Sequence, residues 1–209
     1  MSTLLIGARG SMGKRYQAIL KHLDEAVWCV DKEHSIDEIL KRARRAERVI
    51  LATPTESHWD FLQRLLPLGK PILCEKPIVK DSEKLIELYR LSQKHRTPLT
   101  MMLQYSELLK EGSEGESYYD YFRTGNDGLI WDCLQIIGLS DGEVDIRNDS
   151  PIWTCKINGQ VLNLSEMDGA YVSFVSKWLN NKIEQDFAEI IAIHEKVEQL
   201  ENERNFQLN

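Results

Sequence analysis

The stretch Leu4-Leu5-Ile6-Gly7-Ala8-Arg9-Gly10-Ser11-Met12-Gly13 decides the fold. A short apolar run breaks into three glycines at every third position, and a helical pattern follows. The spacing is G-x-x-G-x-x-G rather than the commoner G-x-G-x-x-G, but the physics is shared. Glycine permits a tight turn and lets backbone N–H groups approach a pyrophosphate, while the helix N-terminus adds a favourable dipole. Glycine-rich turns also serve merely as turns, so the motif alone is weak. Its context strengthens it, because it follows a strand, opens a helix and lies at the chain start. Gly7, Arg9, Gly10, Ser11, Met12 and Gly13 are therefore candidate cofactor contacts.

A second test lies one strand further on. Asp31 follows the apolar run Val27-Trp28-Cys29-Val30 and stands 18 residues after Gly13. An acidic residue about 20 residues beyond such a turn accepts hydrogen bonds from the adenosine ribose hydroxyls. A carboxylate there repels the extra phosphate of NADP, so NAD is the expected cofactor. Lys32 beside it softens that preference and keeps NADP within reach.

Working outward, apolar runs recur at Val49–Ala52, Pro71–Cys74 and Leu99–Leu103, separated by amphipathic stretches of helical spacing. One of these carries Leu85, Ile86, Leu88, Tyr89 and Leu91, with Asp81 or Ser82 as its N-cap. Apolar strands alternating with helices predict a parallel sheet buried on both faces. Residues 1–103 are thus expected to form an α/β, doubly wound Rossmann domain. The pattern changes after residue 103. A polar stretch with several glycines leads to a helix over Leu129–Leu139. Short alternating strands follow, with Asn158-Gly159 as a hairpin turn, and two helices close the chain. Residues 104–209 read as a reduced α+β domain with a small antiparallel sheet, serving substrate binding or oligomerisation.

The bulk numbers set outer limits. Of 209 residues, 42% are hydrophobic and 28% charged, which excludes wholesale disorder. The net charge of -7 disfavours nucleic acid as a partner, because an acidic surface repels phosphate backbones. No apolar run approaches the roughly 20 residues that span a bilayer, and the first residues lack a basic signal-peptide region. Cys29, Cys74, Cys133 and Cys155 form no C-x-x-C pair, so neither zinc nor any other metal is expected, and a reducing cytoplasm is the natural compartment. The basic run Lys41-Arg42-Ala43-Arg44-Arg45 reads as a solvated helix face.

Two further segments carry a family resemblance. Ala52-Thr53-Pro54-Thr55-Glu56-Ser57-His58 follows the third strand, and Cys74-Glu75-Lys76-Pro77 ends the fourth. With Ile6–Tyr16, these resemble the glucose–fructose oxidoreductase and inositol dehydrogenase (Gfo/Idh/MocA) family in identity, order and spacing over residues 3–103. The resemblance implies that Thr53, Pro54 and His58 line the cofactor. It also implies that Glu75 and Lys76 sit by the nicotinamide, that Lys76 hydrogen-bonds the reacting hydroxyl or carbonyl, and that the Lys76–Pro77 peptide is cis.

The later chain resembles the family less. Gly128-Leu129-Ile130-Trp131-Asp132 is similar to the family's glycine-to-aspartate segment, which carries Asp132 over as a catalytic candidate. Many members place a histidine three or four residues later, where this chain has Gln135 and Ile136. Gln104 stands near the end of the fifth strand, where the Gln104-Tyr105-Ser106 segment lacks the family's common arginine, and is a further cofactor candidate. Oxidising a secondary alcohol requires hydride transfer plus removal of a hydroxyl proton, and glutamine cannot take the proton. Lys76, or Asp132 through water, could substitute.

Two readings follow. One is an NAD-dependent oxidoreductase acting on a secondary alcohol of a sugar, cyclitol or sugar nucleotide. The other is an NAD-binding protein without turnover, serving as sensor, scaffold or subunit. A small reductase of the dihydrodipicolinate type shares the glycine turn, but its histidine-rich segment is missing here. The residual sheet could pair two subunits into a homodimer.

Overall fold

The computed structural model describes residues 2–110, 114–120, 129–147, 149–163 and 166–207. The chain divides into two compact units. The first comprises Met1–Met102 with Val175–Gln185, and the second Leu103–Phe174 with Asp186–Asn209.

The first unit begins with β1 (Ser2–Ile6), α1 (Ser11–His22), β2 (Ala26–Val30), α2 (Ile36–Arg45) and β3 (Arg48–Leu51). It continues with α3 (His58–Leu65), β4 (Ile72–Cys74), α4 (Ser82–His95) and β5 (Leu99–Met101). The five strands are all parallel, in the order β2-β1-β3-β4-β5. Leu4, Leu5, Ile6, Val49, Ile50, Leu51, Ile72, Leu73 and Cys74 are all buried. The central strands are therefore apolar on both faces, as a sheet covered by helices on both sides requires. β1 connects outward to β2, and α2 carries the chain back past β1 to β3. The order reverses between β1 and β3, so a crevice opens at their carboxyl ends, the place where open α/β sheets hold ligands.

Local chemistry fixes the helix starts. Ser35 forms a reciprocal capping box with Glu38 at the head of α2. Asp81 caps α4 by accepting from the Lys84 N–H at 3.0 Å. At the sheet edge, the Gln185 side chain acts as a substitute strand for β5. Its Oε1 accepts from the Met101 N–H at 2.8 Å, and its Nε2 donates to the Met101 carbonyl at 2.7 Å. An exposed edge is a template for unwanted pairing, and this amide occupies it. The basic residues Lys41, Arg42, Arg44 and Arg45 lie exposed on α2.

The second unit holds β6 (Ser117–Asp120), α5 (Leu129–Asp132), α6 (Leu134–Leu139), β7 (Val144–Arg147), β8 (Thr154–Ile157) and β9 (Gln160–Val161). The Met167–Phe174 part of α7 (Met167–Leu179) and all of α8 (Phe187–Gln207) complete it. Its sheet runs β7-β6-β8-β9. β8 and β9 form the hairpin at Asn158-Gly159, both with positive φ. The sheet is mixed rather than wholly antiparallel, because β6 and β7 pair in parallel. That pairing follows from the connection, which passes through α5 and α6 and so returns the chain in the same direction. The expected helix over Leu129–Leu139 breaks at Cys133 into α5 and α6. Gly128, the first residue of the family-like segment, lies outside the described residues. Among the described residues, no helix is long and apolar enough to cross a membrane, and no cluster of three or more His, Cys, Asp or Glu could hold a metal. The cysteines are free thiols.

Candidate functional site

The glycine turn is built from three glycines with different duties. Gly7 has φ +87, and a Cβ there would lie 2.5 Å from the Ala52 carbonyl oxygen. A Cβ on Gly13 would lie 2.1 Å from the Gly7 oxygen. Both glycines are demanded by the protein's own backbone. Gly10 is not. It caps α1 with an ordinary φ of -66, and a Cβ there would meet the Gly7 oxygen at 3.4 Å, ordinary contact. Gly10 is exposed, so the fold leaves space beside it. A dinucleotide pyrophosphate fits that observation, since it needs bare backbone at a helix N-terminus.

The turn is tied to β2. The Gly7 and Ala8 N–H groups donate to the Val30 carbonyl at 3.0 and 3.2 Å. Asp31 follows, accepting from the Arg9 N–H at Oδ2 (2.7 Å) and from the Lys32 N–H at Oδ1 (2.8 Å). These backbone donors, Arg9 first, hold its carboxyl below the usual carboxylate range. Each oxygen carries one backbone bond, which leaves acceptor capacity for a vicinal diol.

A cleft of about 560 Å³ opens here. The glycine turn and Asp31 form one side through Ile6, Gly7, Gly10, Asp31 and Lys32. Ala52, Thr53, Pro54 and Ser57 form the opposite side, with Ile36, Ile39, Phe61 and His34 completing it. It lies at the β1/β3 switch point, and its size suits a nucleotide moiety. Ser57 stiffens the wall: its hydroxyl donates to the Pro54 carbonyl at 2.7 Å, and its oxygen lies 2.8 Å from the Thr53 hydroxyl, from which it can accept.

Glu75 and Lys76 follow β4, and the Lys76–Pro77 peptide is cis. Glu75 is buried, and burial pushes its carboxyl above the usual range. The Tyr16 hydroxyl on α1 opposes this by donating to Glu75 Oε1 at 2.6 Å. Lys76 is half-buried.

Residues 13–103 match the family model described as "Oxidoreductase family, NAD-binding Rossmann fold" (GFO_IDH_MocA). Over residues 13–103 the chain is thus similar to the Gfo/Idh/MocA family's NAD-binding Rossmann domain. Over 47 residues it is 38% identical to inositol 2-dehydrogenase of Rhizobium meliloti, a match covering 22% of this chain and 14% of that protein. Over 56 residues it is 39% identical to inositol 2-dehydrogenase of Corynebacterium glutamicum, covering 27% of this chain and 17% of that one. These matches thus span only a small part of the relatives' length.

A Gfo/Idh/MocA family oxidoreductase from Vibrio cholerae superposes with a TM-score of 0.73 at 14% identity, covering 100% of this chain and 99% of that one. The WlbA (WbpB) dehydrogenase from Thermus thermophilus, solved with NAD and UDP-GlcNAcA, gives 0.70 at 12% identity, covering 96% and 94%. Likeness at such identities speaks for the fold.

Several expected site residues take other places. His58 does not line the cleft. Its ring is fully buried, with Nε2 2.8 Å from the Thr53 carbonyl and Nδ1 3.1 Å from the carbonyls of both Pro77 and Ile78. It ties the loop after β3 to the loop after β4 from inside, and burial pushes its pKa down. Ser11 is exposed and Met12 half-buried at the start of α1, beside the cleft's glycines.

Gln104 belongs to the second unit, where it is buried and donates to the Tyr171 hydroxyl at 2.9 Å. It therefore serves an internal network rather than the cleft wall. Gln135 joins that network. Its Oε1 accepts from the Tyr105 N–H at 3.1 Å, and its Nε2 donates to Gln104 Oε1 at 3.0 Å. Asp132 ends α5, three residues before Gln135. Lys76 lies in the first unit, and Asp132 and Gln135 in the second.

His34, Ile36, Ile39, Ser57 and Phe61 line the cleft without having been anticipated. Ile36 offers a sequence signal, an apolar residue just after the strand-end acid that the helix leaves 36% exposed. The Tyr16–Glu75 bond carries a prediction. Tyr16→Phe removes a side-chain donor that favours the Glu75 carboxylate, at a cost of about 1–3 kcal/mol. Glu75 binds its proton more tightly folded than unfolded, so stability falls as pH rises from the ordinary carboxylate range through its folded pKa. The variant raises that pKa further. Thermal melts should show a larger loss near neutral pH than below the ordinary carboxylate range, and a loss independent of pH would contradict the assignment.

Proposed function

We propose that the chain is an NAD-dependent oxidoreductase that oxidises or forms a secondary alcohol of a sugar, cyclitol or sugar nucleotide. The observation that carries the cofactor part is Gly10, whose missing side chain the fold itself does not require. Gly7, Gly10 and Gly13, with Arg9, Ser11 and Met12, would hold the pyrophosphate at the head of α1. Asp31 would accept the adenosine ribose hydroxyls, with Lys32 beside it. Thr53 and Pro54 would wall the opposite side, and Glu75 would stand near the nicotinamide end, positioned by Tyr16. When bound, NAD supplies a hydride acceptor or donor.

Lys76 would take the proton from the substrate hydroxyl as the carbinol hydrogen leaves as hydride. Its position after a buried strand at the carboxyl end of the sheet, with proline next, restricts where it can point. The sugar-like substrate class is supported by the likeness to inositol dehydrogenases and to a dehydrogenase solved with UDP-GlcNAcA. The expected division of labour is cofactor binding in residues 1–103 and substrate binding or subunit pairing in residues 104–209. Turnover followed by NADH absorbance across sugars, inositols and nucleotide sugars tests the reaction, and a hit within one of these classes is the expected result.

A second reading, an NAD-binding protein without turnover, is favoured by Gln135. It is an amide, it is buried, and both its ends are engaged, so it offers no titratable group. Saturable NAD binding with no turnover on the whole panel would select this reading.

Asp31→Ala should narrow the gap between NAD and NADP affinity, because the carboxylate that opposes a 2′-phosphate is gone. Calorimetric titration with both dinucleotides checks it. An unchanged ratio would remove Asp31 from the ribose site.

A further inference from the structure

Beside Asp31 the chain carries an arginine of the kind that favours NADP. Arg9 follows the first turn glycine, and its backbone N–H lies 2.7 Å from Asp31 Oδ2. Its stem therefore starts next to the carboxylate that would face the ribose. An arginine near the ribose acid can accommodate a 2′-phosphate in this fold, because its planar fork matches a phosphate with two parallel hydrogen bonds.

Here the fork is engaged. The guanidinium pairs with Glu33 Oε1 at 2.8 Å. The same carboxylate oxygen lies 3.7 Å from His34 Nδ1. His34 and Lys32 both line the cleft. The local formal charges thus balance, with Arg9 and Lys32 against Asp31 and Glu33, and His34 between them.

We propose that Glu33 sets the dinucleotide preference by holding the Arg9 guanidinium in an ion pair, which withholds it from a 2′-phosphate. The inference rests on the NAD site described above and adds a second determinant to Asp31. Asp31 opposes the phosphate directly. Glu33 disables the group that would otherwise compensate, and adds a second negative charge nearby. Without Glu33, the Arg9 fork is released and Asp31 alone faces two fixed cations. The pair is exposed at 69% and 39% of the two side chains. Such pairs contribute little to stability, so replacing either partner leaves the fold intact and alters the ligand end alone.

The test is calorimetric titration of the full chain with NAD and with NADP, using wild type, Glu33→Gln, and Glu33→Gln combined with Arg9→Ala. Glu33→Gln should tighten NADP binding by up to about fivefold while NAD affinity holds, because releasing an exposed ion pair returns only the small energy that pair holds. Because Arg9 also stands at the pyrophosphate end shared by both dinucleotides, the readout for the double variant is the NADP/NAD affinity ratio, which should return to the wild-type value. Two results would overturn the proposal: an NADP/NAD ratio unmoved by Glu33→Gln, or a gain that survives removal of Arg9, which would make it a net-charge effect. If the wild type binds neither dinucleotide, the cofactor site itself fails, an outcome distinct from binding without the shift.

Discussion

Gly10→Val is expected to abolish NAD binding while the protein stays folded. The three turn glycines look alike in sequence but not in structure. A side chain at Gly7 or Gly13 would strike backbone at 2.5 or 2.1 Å, so either change disrupts the turn itself. Gly10 has an ordinary φ and an open side. Valine is a poorer N-cap than glycine, a cost of about 1 kcal/mol or less. The two valine methyl groups would project where a pyrophosphate must approach the backbone of α1. Circular dichroism should therefore remain native while calorimetry with NAD shows no saturable heat. A native spectrum with unchanged NAD affinity would mean that the glycine turn is only a turn.

Lys76→Met is the second large effect. If Lys76 is the acid–base group, its loss should slow turnover by about a hundredfold to ten-thousandfold. Methionine keeps most of the stem's bulk, and the residue is only half-buried, so NAD binding should persist. Initial rates on the substrate found by the panel, set beside an NAD titration of the same variant, separate chemistry from binding. Robust turnover untouched by the substitution would remove Lys76 from the active site.

What could be read from the sequence was mostly local. The run into Gly7, the acid at Asp31 and the buried strands over residues 49–52 and 71–74 announce themselves through short-range pattern, because a parallel strand covered on both faces must be apolar throughout. The Asn158-Gly159 hairpin is equally local, since its turn demands two positive φ values.

Long-range features were not legible. Nothing near Gln185 signals that its amide pairs with β5, 84 residues earlier in the chain. The parallel pairing of β6 with β7 depends on the path between them, not on either strand's pattern. The family resemblance implies that His58 lines the cofactor, but its partners at Pro77 and Ile78 lie 19 and 20 residues on. Burial among carbonyls turns it into an internal tie. Gln104 and Gln135 each read as a solitary polar residue near a site. Only folding brings their amides within 3.0 Å of each other, and that mutual bond accounts for two polar side chains in a buried position. The Arg9–Glu33 pair is likewise a product of the fold, joining the turn after β1 to the loop after β2.

The most direct test of the account is a calorimetric titration of the unmodified chain with NAD, run beside NADP. Saturable binding of one NAD per chain, tighter than NADP, is the result predicted by the cleft between the glycine turn, Asp31 and Thr53. No saturable binding of NAD, or tighter binding of NADP, would contradict it.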